Sequence, residues 1–238
     1  MVTGIILAMN VPVGMPLGQL AVGCVAAIII TKQLFGGIGM NFANPALVGR
    51  IALFVSFASE MNAWVYPDAA VDQLASATPL QVADPSRLNL FDLFMGIHGG
   101  VLGETCAITL LAGGIYLIAT KVISPIIPVT YLGTVAVLSL AAGQDPIVQL
   151  LSGGLILGAF FMATDYVTSP TTQKGKLIFG LGLGVITCAI RFLGTMAEGV
   201  SFSILLMNLV VPYIEVLTRQ DKLGIAKVKK SKKEGAGK

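Results

Sequence analysis

Charged residues are scarce in this sequence. Asp, Glu, Lys and Arg make up 11% of its 238 residues, whereas they make up about 25% of an ordinary soluble domain. A water-soluble fold of this length would have too few charges to cover its surface. The sequence is instead 55% hydrophobic, with a mean hydropathy of +0.86. These values predict an integral membrane protein and argue against a soluble enzyme or a nucleic-acid-binding domain.

Cysteine and histidine are also rare. The three cysteines lie singly in apolar stretches, and none forms the CxxC pair of a thiolate metal site. We interpret them as buried free thiols that pack as small apolar residues. The single histidine, His98, lies at the edge of an apolar stretch, where an interfacial role is expected. The sequence therefore predicts no metal site.

Long apolar runs fill most of the chain, and a helix needs roughly 20 apolar residues to cross the hydrocarbon. The runs that qualify, or nearly do, are Leu17–Phe35, Pro45–Phe57, Val101–Ile123, Ile126–Ala142, Ile147–Val167, Leu177–Leu193 and Val200–Leu217. Residues 1–9 resemble the end of a further span, which predicts that N-terminal residues are missing. The sequence thus predicts an all-α polytopic bundle over residues 1–218 and a basic tail over residues 219–238.

The positions of the basic residues predict the orientation of the bundle. Eight of the fifteen Lys and Arg residues lie between Arg219 and Lys238, and basic residues concentrate on the cytoplasmic side of membrane proteins. Placing this tail inside puts Arg50 near the inner end of its span and the loop 59–98 outside. We expect a multi-pass protein of a bacterial or archaeal cell membrane, with a cytoplasmic C-terminus whose lysines are attracted to anionic lipid.

Two polar segments interrupt the apolar sequence, about 125 residues apart. One ends in Asn44-Pro45 and the other in Ser169-Pro170. Paired Gly- and Pro-interrupted segments are typical of broken-helix inverted repeats that line a central site, as in a urea-transporter-like architecture. The alternative is that both are ordinary surface loops.

The glycine-rich runs 153–158 and 180–184 predict close approach of helices rather than phosphate loops.

The loop 59–98 is the only long hydrophilic connection, and its centre contains Ser76-Ala77-Thr78-Pro79. Long loops without secondary structure are often functional. Considered by its chemistry alone, Thr78 before a proline is an N-cap whose hydroxyl satisfies a backbone N–H.

Four stretches carry a resemblance to a known family: GGIGMNFANPALVGR, DQLASATPLQ, GGVLGETCAITLLAGGIYLI and FMATDYVTSPTTQKGK. These stretches resemble sequences of the RnfD/NqrB family and occur in the same order along the chain. RnfD is a membrane subunit of the Rnf ferredoxin:NAD oxidoreductase, and NqrB belongs to the sodium-pumping NADH:quinone oxidoreductase. The resemblance covers the apolar body from Met1 to about Arg219 and lacks the family's first spans.

The resemblance implies a covalent FMN, joined through a phosphoester to Thr78 by a flavin transferase that uses FAD. Ala75 and Ser76 are small enough for the close approach this requires, although the family's glycine-containing form of the motif is not matched. Ser76 and Ala77 are the further residues expected at the flavin site. A noncovalent riboflavin in the membrane body is also implied. Gly36 and Gly37 match a glycine pair that the quinone-linked relative places near its quinone or flavin pocket. The alternative for this pair is a tight turn with helix packing.

Two carboxylates are candidates for an ion path, because an ionisable residue inside a span is a functional hypothesis by default. Glu104 is expected near the outer end of its span and Asp165 at the inner end, so that they mark opposite mouths. Arg191 is expected to pair with Glu198.

Three functions follow from these observations. The first is a redox subunit of an Rnf-type complex, acting with the other Rnf subunits, that couples electron flow between ferredoxin and NAD to Na⁺ or H⁺ movement. The second is an NqrB-like subunit of the quinone-reducing complex. The third is a small-solute channel, which would have no use for a flavin on an external loop.

Overall fold

The protein was analysed as a computed structural model, which describes residues 1–37, 39–63, 90–96, 100–101, 103–194 and 199–219. Within these ranges the secondary structure is helical, with no strand. The helices are α1 (Val2–Met9), α2 (Leu17–Val25, continued by a π-helical part, Ala26–Gln33), α3 (Pro45–Ser56), α4 (Ala58–Met61), α5 (Leu90–Met95), α6 (Ala107–Ala119), α7 (Ile126–Ala141), α8 (Pro146–Leu151), α9 (Leu155–Leu157, continued by a π-helical part, Gly158–Met162), α10 (Gln173–Leu193) and α11 (Val200–Thr218).

Two of these helices are long and apolar enough to cross a membrane by length and composition, namely α10 and α11. Four shorter apolar helices accompany them: α2 with its π-helical part, α3, α6 and α7. Large apolar side chains are exposed along these helices, for example Val137 on α7 and Tyr213 on α11. The predicted all-α membrane fold is therefore confirmed in its coarse form, and the inverted repeat stays a prediction.

Glycine allows the closest helix contacts in the C-terminal half. A Cβ added at Gly180 of α10 would lie 1.9 Å from Thr130 Oγ1 of α7. One turn later, a Cβ at Gly184 would lie 2.4 Å from Thr134 Cβ. These contacts bring α7 and α10 together along their length, as the glycine-rich run 180–184 predicts. A fully buried tyrosine on the same face of α7, Tyr131, reaches Thr187 of α10 and Ser203 of α11.

The span predicted over Ile147–Val167 is not continuous. Gly153 and Gly154 have φ values of 66° and 65°, in the left-handed region that glycine occupies at little cost. They separate α8 from α9. The first two glycines of the run 153–158 therefore interrupt a helix instead of allowing two helices to pack closely. The later glycine, Gly158, does permit packing, because a Cβ there would lie 2.4 Å from Val200 Cγ1.

The span predicted to begin at Val101 also begins later, because α6 begins at Ala107. The preceding segment contacts the end of α1, where the Gly103 N–H donates to the Met9 carbonyl at 2.9 Å. A Cβ at Gly103 would lie 2.7 Å from Met9. This segment is therefore bound to a neighbouring helix end instead of continuing its own helix.

Candidate functional site

The three residues predicted to form the flavin attachment element, Ser76, Ala77 and Thr78, lie outside the described residues. The same holds for His98 and Glu198. The geometry of the site therefore comes from the helical body, where the other candidates lie.

The glycine pair Gly36–Gly37 follows the π-helical part of α2. Both residues have positive φ, at 113° and 94°, which explains why glycine is required there. The Gly37 N–H donates to the Lys32 carbonyl at 2.8 Å and closes the helix end. The rings of Phe35, before the glycine pair, and Phe42, after it, pack with centroids 4.9 Å apart. The described geometry is thus that of a tight turn, and contact of this pair with a flavin or quinone stays a prediction.

Arg50 and Glu104 form an ion pair in the interior. Arg50 Nη1 lies 2.8 Å from Glu104 Oε1, and each side chain is 5% exposed. Arg50 is the sixth of the twelve residues of α3, so it lies near the middle of that helix. The expected positions of Arg50 near the inner end and Glu104 near the outer end cannot both be right, because the contact places the two side chains at a similar depth. A buried pair of this kind compensates two charges that would be costly alone.

Breaks in three helical segments surround this ion pair. Asn10, at the end of α1, accepts a hydrogen bond from Arg50 Nη1 at 2.7 Å and donates to the Ile6 carbonyl. On the other side, the carboxylate of Glu104 lies against Gly154, where an added Cβ would be 2.4 Å from Oε1. The ion pair therefore joins the end of α1, the middle of α3, the segment before α6 and the break between α8 and α9. Irregular backbone of this kind is tolerated at membrane depth when protein buries it.

The two polar segments predicted to line a central site do meet. Asn44 caps α3 by accepting from the Ala46 N–H at 3.0 Å, and its Nδ2 donates to the Met162 carbonyl at 3.2 Å. Asn208 of α11 joins both segments in the amide orientation that its neighbours require. It then donates to the Thr168 carbonyl at 3.1 Å and accepts from the Asn44 N–H at 3.1 Å. The two segments are therefore in contact near Asn44 and Thr168, and their interpretation as parts of a broken-helix repeat stays a prediction.

Asp165 lines a cleft of about 310 Å³ at this junction. The carboxylate is half-buried and accepts a hydrogen bond from Thr168 Oγ1 at 3.0 Å. The next residue, Tyr166, donates its hydroxyl to the Val122 carbonyl. The cleft has a mainly apolar wall with a few polar groups: Val2, Thr3, Ile6, Asn44, Pro45, Ala46, Leu117, Val122, Ile123, Phe160, Phe161, Thr164, Asp165 and Tyr166. Apolar walls with a few polar groups are typical of small-molecule sites.

Arg191 holds the broken helix in place. Its Nη1 donates to the Gln149 carbonyl at 2.7 Å and to Gln149 Oε1 at 3.1 Å, and its Nη2 donates to the Ser152 carbonyl at 2.9 Å. A guanidinium at a helix C-terminus satisfies free carbonyls and interacts favourably with the helix dipole. The predicted partner, Glu198, is outside the described residues, and the partners named here are Gln149 of α8 and Ser152 directly after it.

The sequence interpretation missed Asn10 and Asn208, and it named Asn44 only as the end of a polar segment, without its role as the cap of α3. A buried amide in an apolar run is costly unless its hydrogen bonds are made. Asn208, inside the apolar run Val200–Leu217, was therefore a usable signal. The Asn44-Pro45 step was in addition a helix-start signature, since proline follows the N-cap at the first helical position.

Comparison with known proteins identifies the family. A model of the NQR2, RnfD, RnfE family matches residues 1–224. A subunit of the Na⁺-translocating ferredoxin:NAD⁺ oxidoreductase complex of Acetobacterium woodii is 47% identical over 98% of this chain and 74% of its own length. A subunit of the proton-translocating ferredoxin:NAD⁺ oxidoreductase complex of Clostridium ljungdahlii is 43% identical over 93% of this chain and 73% of its own length. A subunit of an ion-translocating oxidoreductase complex of Stutzerimonas stutzeri is 37% identical over 92% of this chain. The chain therefore belongs to the NQR2, RnfD, RnfE family.

Proposed function

We propose that this chain is the RnfD membrane subunit of an Rnf-type complex, which couples electron transfer between ferredoxin and NAD⁺ to cation translocation. The observation that carries the proposal is 47% identity over 98% of the chain to a subunit of a Na⁺-translocating ferredoxin:NAD⁺ oxidoreductase complex. The partners are then the other subunits of the complex, and the chain is inactive alone. The NqrB-like alternative is retained because the same family includes NQR2. Reduction of NAD⁺ by ferredoxin in the purified complex, without quinone reduction by NADH, favours the Rnf assignment over that alternative.

The coupling ion is the point on which the relatives differ. A Na⁺-translocating and a proton-translocating relative are 47% and 43% identical to this chain. Overall identity therefore does not select the ion, and the proposal is limited to a monovalent cation. Transport by the complex in vesicles, measured with and without Na⁺ and with a protonophore, separates the two.

Thr78 is the proposed attachment site of a covalent FMN, on the strength of the resemblance of its loop. In the reaction, the Thr78 hydroxyl attacks the FMN phosphorus of FAD, the pyrophosphate bond breaks, and AMP leaves with that oxygen. The hydroxyl proton is lost to solvent. Once bound, the flavin supplies the redox chemistry, and the chain determines its position and electrostatic surroundings.

In-gel fluorescence tests this attachment. Wild-type protein produced with a flavin transferase should give a fluorescent band after denaturation, and Thr78→Val should abolish it. Thr109→Val removes a hydroxyl from α6, outside the loop, and should leave the band unchanged. A band that persists in Thr78→Val excludes Thr78 as the site, and no band in the wild type excludes covalent flavin.

The cleft beside Asp165 is the proposed position of a noncovalent riboflavin. Its volume of about 310 Å³ suits a flat ring, and its chemistry fits the group, since Phe160 and Phe161 offer an apolar wall and Thr3 and Thr164 offer polar partners. Val2 lines the cleft but is 70% exposed, so Val2→Trp should fill the cleft without disturbing the core. We expect this variant to lose extractable riboflavin and to keep the covalent band. Val13→Trp is the control, at an exposed position elsewhere. Unchanged riboflavin in Val2→Trp would exclude the cleft.

The two carboxylates proposed for the ion path differ in their surroundings. A cation that binds Glu104 must first displace the guanidinium of Arg50 at 2.8 Å, whereas Asp165 accepts from a neutral hydroxyl in an open cleft. We therefore assign cation handling to Asp165 and assign to Glu104 the role of holding α3 against the segment before α6. Asp165→Asn should lower ion transport more than it lowers complex assembly. Glu104→Gln should lower both together.

The proposed arrangement in the membrane is the broken-helix inverted repeat, with the tail 219–238 in the cytoplasm and the loop 59–98 outside. The meeting of the two polar segments at Asn44 and Asn208 supports the repeat. Cysteines introduced by Ala236→Cys and Ala70→Cys should react with an impermeant maleimide from opposite sides of the membrane. The native cysteines are half-buried or buried, and the wild type measures their background. Labelling of both positions from one side would contradict the topology.

A further inference from the structure

A second cleft, of about 460 Å³, lies on the outer surface between α7 and α10. We propose that it binds an anionic phospholipid, with an acyl chain in the cleft and the phosphate at Lys174. The lining residues are Pro125, Ile126, Val129, Thr130, Gln173, Lys174 and Leu177. Most of this wall is apolar, and its one charged group, Lys174, lies beside Gln173 at one end, which is the distribution of polarity along a phospholipid.

The shape of this cleft follows from how the two helices pack. α7 and α10 are in tight contact at Gly180 and Thr130. Toward the beginning of both helices, that contact is replaced by longer side chains on α10, among them Leu177 and Lys174. The helices therefore leave a groove that extends from the Thr130 contact to Pro125. Val129 and Leu177 on its walls are 64% and 46% exposed, so neither is covered by the described part of the chain.

Charge selects the kind of lipid. Lys174 lies in the first turn of α10, where free backbone N–H groups and the helix dipole also favour an anion. Lys121 and Lys176 are at the same end of the helices, and the described acidic groups there are Asp165 and Glu215. Each of these carboxylates already accepts hydrogen bonds, Asp165 from Thr168 and Glu215 from Thr171. With three lysines against two carboxylates, the end of the groove is net positive, which favours an anionic headgroup over a zwitterionic one.

The test measures lipid that remains bound to the intact complex. Complex purified in detergent and exchanged with phosphatidylglycerol or with phosphatidylcholine of the same chains is analysed by native mass spectrometry. We expect wild type to retain phosphatidylglycerol in preference to phosphatidylcholine. Lys174→Ala should weaken retention of phosphatidylglycerol about fivefold, the effect of one lysine near a lipid surface.

Two matched controls separate the groove from general surface charge. Lys176→Ala removes the same charge two residues away, and residues two apart on a helix do not share a face. It should change retention little. Val129→Trp should fill the groove and reduce retention, whereas Val137→Trp, at a 65% exposed position two turns along α7, should not.

Four outcomes would overturn the proposal. The first is equal retention of the two lipids by wild type. The second is equal loss in Lys174→Ala and Lys176→Ala, which would indicate surface charge alone. The third is displacement of phosphatidylglycerol by inorganic phosphate in the millimolar range, which would indicate a free-anion site without an acyl chain. The fourth is loss of a partner subunit in Val129→Trp, which would show that protein, not lipid, covers the groove.

Discussion

The side chains of Arg50 and Glu104 meet at 2.8 Å, although 54 positions separate them in the sequence and both lie in apolar stretches. Around them, Asn10 bonds Arg50 and Gly154 leaves room for the carboxylate. The ion pair thereby connects the ends of several helices. Apolar packing alone would not fix the positions of these ends, because their backbone groups need hydrogen-bond partners.

Breaking this ion pair from one side should be more damaging than removing it. Arg50→Met takes the guanidinium away from the buried Glu104 carboxylate, which we expect to cost on the order of 3–5 kcal/mol of unfolding free energy. The double variant Arg50→Met/Glu104→Gln removes both charges and should recover a substantial part of this loss. Unfolding in mixed micelles, followed by circular dichroism, measures both. A double variant as unstable as the single one would contradict the ion-pair assignment.

Gly154 should tolerate no side chain, for two separable reasons. Its φ of 65° is strained for other residues, and an added Cβ would lie 2.4 Å from Glu104 Oε1. Gly143 shares only the first reason, because its φ is 71° and nothing lies within 4 Å of an added Cβ. Gly143→Ala should therefore cost about 1 kcal/mol, and Gly154→Ala clearly more. The same micelle unfolding measures the difference, and equal losses would show that the carboxylate does not press on Gly154.

The sequence predicted the long helices well, because uninterrupted apolar runs leave few alternatives. α11 runs over Val200–Thr218, against a prediction of Val200–Leu217. The break at Gly153–Gly154 was missed, since hydropathy averages over a window and two glycines barely change the average. The break is stabilised by Arg191, which donates hydrogen bonds to the carbonyls of Gln149 and Ser152. These contacts span 42 and 39 positions of sequence, far beyond the reach of a local pattern.

The candidate site was predicted only in part. The polar segments ending in Asn44-Pro45 and Ser169-Pro170 were expected to line a central site, because polar backbone inside an apolar body must be shielded. Their contact through Asn208 agrees with that expectation. The pairing of Arg50 with Glu104 was not expected. The basic residues of loops indicate which side of the membrane a loop faces. They do not indicate the depth of a residue such as Arg50, which lies in the middle of the short helix α3.

Gly180 should be the most sensitive glycine in the contact between α7 and α10. A Cβ there would lie 1.9 Å from Thr130 Oγ1 and 2.9 Å from Thr130 Cβ, so Gly180→Ala should cost about 1–3 kcal/mol through overpacking. Thr130→Ala removes the closest atom and should restore part of the loss when combined with it. The control is Gly133→Ala in α7, where nothing lies within 4 Å. That change should stabilise the helix by up to about 1 kcal/mol. A Gly180→Ala variant as stable as Gly133→Ala would mean that the helices are further apart than described.

The hydroxyl network of Tyr131 should contribute modestly to the same contact. Tyr131 Oη lies 2.6 Å from Thr187 Oγ1 and 3.3 Å from Ser203 Oγ, and Thr187 donates independently to Ser203 at 2.8 Å. Tyr131→Phe therefore keeps the ring packing and leaves Thr187 and Ser203 bonded to each other. We expect a loss of about 0.6 kcal/mol, the average for hydrogen bonds between membrane helices, and no more than about 1.7. Tyr213→Phe, at a position 72% exposed, should leave the unfolding free energy unchanged. A loss in Tyr131→Phe well above this range would mean that the hydroxyl holds a larger polar network than these three side chains, and no loss would mean that Thr187 and Ser203 satisfy each other completely.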